Sequence, residues 1–274
     1  MATAEHRFLG PRAAALLALA RPALAGDPAS QHKFRVAARS LRADLDVLLK
    51  RADRREGRKV RRALGRAIRS LADVRDLDVG RALMTPSPLQ VTVEGRLAKA
   101  RQVALKECAR SWPKDLGTTL QNLVERSEPR RSTMRKRAGR EVRRQRRRAL
   151  ELLRSSNRFD PVRCHDLRKA IRSLRYAMQL LNDLKPRTAV RVDRLEALQD
   201  ALGAAQDHIV LSGWLGREAK RLPSRDHKSL REITEARAHH RDLAAESWAK
   251  FQDLHPRRVV KTQFRIGKRR SPGK

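Results

Sequence analysis

His32-Lys33-Phe34-Arg35-Val36-Ala37-Ala38-Arg39-Ser40-Leu41-Arg42 is matched, 133 residues later, by His165-Asp166-Leu167-Arg168-Lys169-Ala170-Ile171-Arg172-Ser173-Leu174-Arg175. In both stretches a histidine is followed by arginines three, seven and ten residues on. On an α-helix those four positions share an arc of about 80° over roughly 15 Å of axis, which predicts a basic ridge headed by a histidine. Beside the ridge runs an apolar stripe, Phe34, Ala38, Leu41, Leu45 and Leu48 in the first copy and Leu167, Ile171, Leu174, Met178 and Leu181 in the second. Each helix therefore carries a core face and a charged face side by side. A single charge run usually reads as a solvated surface. The same run stated twice in one register asks for a common cause.

Working outward, two further landmarks recur. Leu71-Ala72-Asp73-Val74-Arg75-Asp76 is echoed by Leu202-Gly203-Ala204-Ala205-Gln206-Asp207, and Ser111-Trp112 by Ser247-Trp248, with offsets of 131 and 136 residues. Near-constant spacing over three landmarks predicts duplication of a whole unit. The fold expected is all-α: two four-helix units packed about a pseudo-two-fold axis around a basic cavity or groove. Residues 1–11 read as a flexible start, 12–128 as the first repeat, 129–255 as the second and 256–274 as a flexible basic tail. The first repeat divides at Gly26-Asp27-Pro28 and at Thr85-Pro86-Ser87-Pro88. A weakly helical connector is expected over 113–129. The helix after the second histidine motif is expected from about Thr188 to Leu222, with a kink near Gly203.

These motifs are similar to those of the CHAD family, the conserved histidine α-helical domain. Its signature is a histidine-led, Arg/Lys-spaced helix occurring twice, each followed by a helix that ends in an Asp-containing turn. The resemblance extends from about residue 12 to 253. It implies an internally duplicated helical domain that binds inorganic polyphosphate.

Composition points the same way without naming the partner. The 274 residues carry 65 Lys and Arg against 30 Asp and Glu, a net charge of +35. So large a charge opposes compaction by self-repulsion and calls for a polyanion. Arginine supplies 50 of the 65 cations, and its planar fork meets phosphate oxygens two at a time. Hydrophobic content of 40% suffices for a core, while 3% aromatics makes that core aliphatic. Cys108 and Cys164 lack any ligand spacing and read as reduced, buried thiols of a cytoplasmic protein. No apolar run reaches the ~20 residues of a membrane span. Ala13 to Ala25 has the flavour of a signal peptide, but Arg21-Pro22 breaks its apolar run, and an amphipathic first helix is preferred.

The densest charge lies between Arg130 and Arg148, with eleven Arg and Lys against one acid, Glu141. Met134, Ala138, Val142, Ala149 and Leu152 keep helical spacing through it, so a helix with one packed side is expected rather than a disordered tail.

The ligand surface expected from these residues joins the two ridges, His32, Arg35, Arg39 and Arg42 with His165, Arg168, Lys169, Arg172 and Arg175, facing each other across the duplication axis. Arg135, Arg140, Arg143, Arg144 and Arg147 of the basic helix extend it, with the ligand-facing side left open. Asp76 and Asp207 are expected to order a turn or to pair with a ridge arginine. The histidines are expected to hydrogen-bond near their helix starts or to donate to phosphate when protonated. Metal binding lacks a ligand constellation, and His239-His240 diverge by about 100° on a helix. No cofactor is expected. Catalysis has no P-loop, nucleophile constellation or carboxylate cluster behind it. The expectation is a cytoplasmic, non-enzymatic binder of inorganic polyphosphate, recruited to polyphosphate granules. Two rivals stay open: a nucleic-acid binder, which this charge would support at low salt, and an enzyme acting on polyphosphate or nucleotides. The first lacks aromatic platforms for stacking bases. The sequence does not fix an oligomeric state.

Overall fold

A computed structural model describes residues 8–49, 54–83, 88–127, 129–186, 192–223 and 225–262. Among them there are helices and no strands: α1 (Leu9–Leu24), α2 (Pro28–Leu48), α3 (Arg54–Leu83), α4 (Pro88–Ser111), α5 (Leu116–Ser127), α6 (Arg131–Arg154), α7 (Pro161–Leu184), α8 (Asp193–Ala219), α9 (His227–Asp253) and α10 (Pro256–Thr262). The chain divides into two compact units, Met1–Arg137 and Ala138–Lys274.

The two histidine helices start by the same device. Asp27 precedes Pro28 and accepts a hydrogen bond from the Ser30 backbone N–H at 2.7 Å. Asp160 precedes Pro161 and accepts from the backbone N–H groups of Val162 at 2.8 Å and Arg163 at 3.3 Å. An aspartate cap followed by proline satisfies orphan donors and presets the first helical φ. Upstream of the first cap, Gly26 at φ 102° closes α1 in the left-handed region that glycine enters without a Cβ penalty.

In the first unit α2 packs on α1 and α3, α3 on α4, and α5 lies against α1 and α3. The whole predicted stripe of α2 is buried, Phe34 at 0% exposure with its ring edge-on to Trp112 at 5.4 Å between centroids. Val60, Leu64, Ala67, Leu71 and Val74 form the buried face of α3. In the second unit α6, α7, α8, α9 and α10 share one core, in which Val142, Leu167, Leu174, Leu198, Leu202 and Phe251 are buried. On α7 Leu181 is only partly buried.

Several expectations are corrected. Residues 256–262 are not tail but α10, whose Val259 and Val260 are buried in the second unit. Arginines lock it there reciprocally. Arg257 of α10 donates to the carbonyls of Leu153 at 3.0 Å and Arg154 at 3.1 Å at the end of α6. Arg146 of α6 donates to those of Val260 at 3.2 Å and Lys261 at 3.0 Å at the end of α10. Each guanidinium thus meets carbonyls that a helix C-terminus leaves unpaired. The connector contains a true helix, α5, with Leu116, Leu120, Leu123 and Val124 buried. Asp76 and Asp207 lie inside α3 and α8 rather than in turns, because apolar spacing continues past them through Val79 and Leu211. Helix α8 continues through Gly203 and ends at Ala219. On α6 the buried position is Leu153, with Leu152 half-buried. The distal tail, Lys268-Arg269-Arg270 included, lies outside the described residues.

Candidate functional site

The core stripe fixes which way each ridge points. With Phe34, Ala38 and Leu41 turned inward, Arg35 and Arg39 are half-buried and His32 and Arg42 exposed. On α7, His165 and Lys169 are exposed, while Arg168, Arg172 and Arg175 are half-buried. Half-burial suits arginine, whose stem covers apolar surface, and at Arg35, Arg168 and Arg175 the burial reaches the Nε atom.

The two ridges differ in what surrounds them. His32 edges a cleft of about 450 Å³ between α1 and α2, lined by Ala15, Val36, Ala37 and Leu41 and by Arg12 at its rim. Arg12 also pairs at 2.9 Å with Asp44, which is 2% exposed. His165, by contrast, has a neighbour on α8: its Nδ1–H donates to Gln206 Oε1 at 3.0 Å. This bond ties α7 to α8 instead of staying near the start of its own helix. At the far end of this ridge Arg175 is held by Glu196 at 3.0 Å, and Lys169 lies 3.5 Å from Asp166.

Arg42 leads elsewhere. It enters a groove of about 380 Å³ between α2 and α3, together with Arg58, Arg61, Arg62, Arg66 and Arg69. Asp46, the carboxylate among the described lining residues, is engaged by Arg61 at 3.0 Å. Sequence reasoning missed these α3 arginines. The signal was present: positions 58, 62, 66 and 69 recur at helical spacing beside the apolar stripe. Arg62 and Arg66 also border a second cleft of about 450 Å³, between α3 and α5, where Glu56 and Asp115 mix the charge.

On α6, Arg135, Arg140, Arg143, Arg144 and Arg147 are all exposed. Arg144 grips Glu141 with two bonds, 2.9 and 2.6 Å long. Other arginines of that helix have structural roles: Arg137 donates to the Leu48 carbonyl, and Arg146 caps α10.

Two further groups of reactive side chains lie at least partly inside the protein, His240 buried and His208 half-buried. Cys108 and Cys164 are free and buried, and burial pushes each thiol up to about 11. His208 of α8 and His240 of α9 stack with ring centroids 5.3 Å apart and Nδ1 atoms 3.1 Å apart. One Nδ1 must donate while the other accepts, so the contact requires at least one neutral ring. Burial lowers both pKa values below the usual 6.5. Among the described residues no three His, Cys, Asp or Glu side chains gather as a metal site. No described helix is long and apolar enough to cross a membrane.

Comparison with known proteins adds a family and a fold. The model of the CHAD domain matches residues 7–216. Among solved structures, the crystal structure of the CHAD domain from the plant Ricinus communis superposes with a TM-score of 0.61 at 20% identity, covering 92% of this chain and 88% of that one. PptA from Streptomyces chartreusis gives 0.60 at 15% identity, covering 91% and 96%. At those identities the likeness is one of fold. Curated protein sequences yield no match.

Proposed function

The chain belongs to the CHAD domain family, and on that premise we propose that it is a non-enzymatic module that binds inorganic polyphosphate. In this reading the two histidine helices descend from one duplicated unit, and the ridges of both take part in binding. The observation that carries it is the recurrence of one capped helix, Asp-Pro followed by a histidine and a ridge of arginines, once in each compact unit. A solvated surface has no need to keep the cap, the histidine and three arginine positions in step.

The chemistry suits a flexible chain of phosphates. Guanidinium forks give charge-assisted hydrogen bonds to phosphate oxygens, and each contact releases counterions from the polyanion. Half-buried arginines such as Arg39 and Arg172 are the best placed energetically, because their stems are already ordered by packing and less side-chain freedom is lost on binding. A place in the cytoplasm and at polyphosphate granules follows from the ligand.

Charge reversal at Arg39→Glu with Arg172→Glu tests the reading. Polyphosphate affinity should fall by about a hundredfold, at about 1.4 kcal/mol per reversed contact, with the helical circular dichroism unchanged. Replacing Lys268, Arg269 and Arg270 should change it little. Equal losses from both sets would leave only diffuse electrostatics and refute a defined surface.

A further inference from the structure

We infer that the α2–α3 groove of the first unit is a binding site in its own right for a linear oligophosphate lying lengthwise along α3. The inference rests on the phosphate-binding reading above and assigns it a place and a ligand shape. Its first support is geometric. Arg58, Arg62, Arg66 and Arg69 follow one edge of α3 over 11 residues, about 16 Å of helix. Arg61 and Arg42 close the groove from beside and across. A single phosphate is satisfied by two or three forks converging on one point. Guanidiniums strung along an axis suit several phosphates in a row.

The second support is a glycine. Gly65 lies buried in the middle of α3, where glycine costs a helix about 1 kcal/mol relative to alanine. A Cβ there would come within 3.0 Å of Arg42 Nη1 and 3.5 Å of Arg69 Nη1. The bare position lets the Arg42 guanidinium lie against α3, joining the ridge to the arginine row. Gathering like charges this closely opposes folding unless an anion offsets them. No aromatic is among the described residues that line the groove, which gives phosphates a track and bases no platform there.

The third support is the contrast with the second unit. There α8 carries Asp193, Glu196 and Asp200 along its first turns, and Glu196 takes the ridge residue Arg175. At the 131-residue offset, Asp193 and Asp200 occupy the α8 positions that hold Arg62 and Arg69 on α3.

Calorimetric titration of the full chain with tripolyphosphate near physiological salt tests the assignment. Arg62→Glu with Arg66→Glu should weaken binding at least about tenfold, as for loss of a charge-assisted contact. Gly65→Leu, which leaves the charge unchanged and adds a side chain whose Cβ alone would already crowd the Arg42 guanidinium, should weaken it about threefold or more, roughly 0.7 kcal/mol. Arg217→Glu with Arg241→Glu, the same charge change on exposed residues of the second unit, should cost less than about twofold. The site is overturned if the control pair costs as much as the groove pair, or if Gly65→Leu has no effect. Should those variants be silent while wild-type protein still prefers long-chain polyphosphate to RNA, the groove fails and the wider reading survives. Preference of the wild type for RNA would refute both.

Discussion

At the scale of single residues, the molecule depends on a few aspartates, histidines and aromatics whose roles can be measured separately. Asp160→Ala removes a cap that serves two backbone N–H groups, and urea denaturation should show a loss of about 1 kcal/mol. Phe34→Ala should cost about 3–5 kcal/mol, because the ring is fully buried against Trp112. The His208–His240 pair makes the second unit sensitive to acid. Both rings have folded pKa values below the unfolded 6.5, mainly through burial, and each ring or its neighbour His239 adds repulsion. Asp207 and Glu246 partly offset this at His208. The unfolded chain therefore takes up protons first, and stability falls as pH drops below about 6.5, until the lowered folded values are passed. Thermal melts between neutrality and pH 5 should show this loss, and His240→Asn should flatten it. An unchanged profile in that variant would remove the pair from the account.

At the scale of helices, the apolar stripes of α2 and α7 were legible because 3.6-residue spacing depends only on residue type. Phe34 to Leu48 and Val60 to Val74 are buried as their spacing demands. What escaped had non-local causes. Helix α10 is too short to stand alone and exists because Val259 and Val260 find a core and Arg146 and Arg257 exchange caps with it. Asp76 and Asp207 looked like turn residues, but tertiary packing carries α3 and α8 past them. The arginine row on α3 forms a groove only once α2 and α3 lie together and Arg42 joins it, which helical spacing along one segment does not show. Deleting residues 256–274 should accordingly destabilise the second unit by about 3 kcal/mol, because the burial of Val259 and Val260 is lost and the core they cover is exposed. Arg257→Ala alone should cost about 1 kcal/mol.

For the whole molecule, the governing quantity is a charge of +35 on a helical chain of two compact units. Polyphosphate at a hundred times its Kd should stabilise the folded state by about 2.7 kcal/mol, visible as a rise in Tm. Its affinity should fall linearly with salt on logarithmic axes. Nucleic acid would share that salt dependence, so salt alone does not identify the ligand. The decisive measurement is a competition titration near physiological salt. Labelled long-chain polyphosphate is displaced by unlabelled polyphosphate, or by RNA and DNA at matched phosphate concentration. The account predicts that nucleic acids compete at least about tenfold more weakly, a difference of about 1.4 kcal/mol. Equal competition would contradict it and make the protein a general polyanion binder on a CHAD fold.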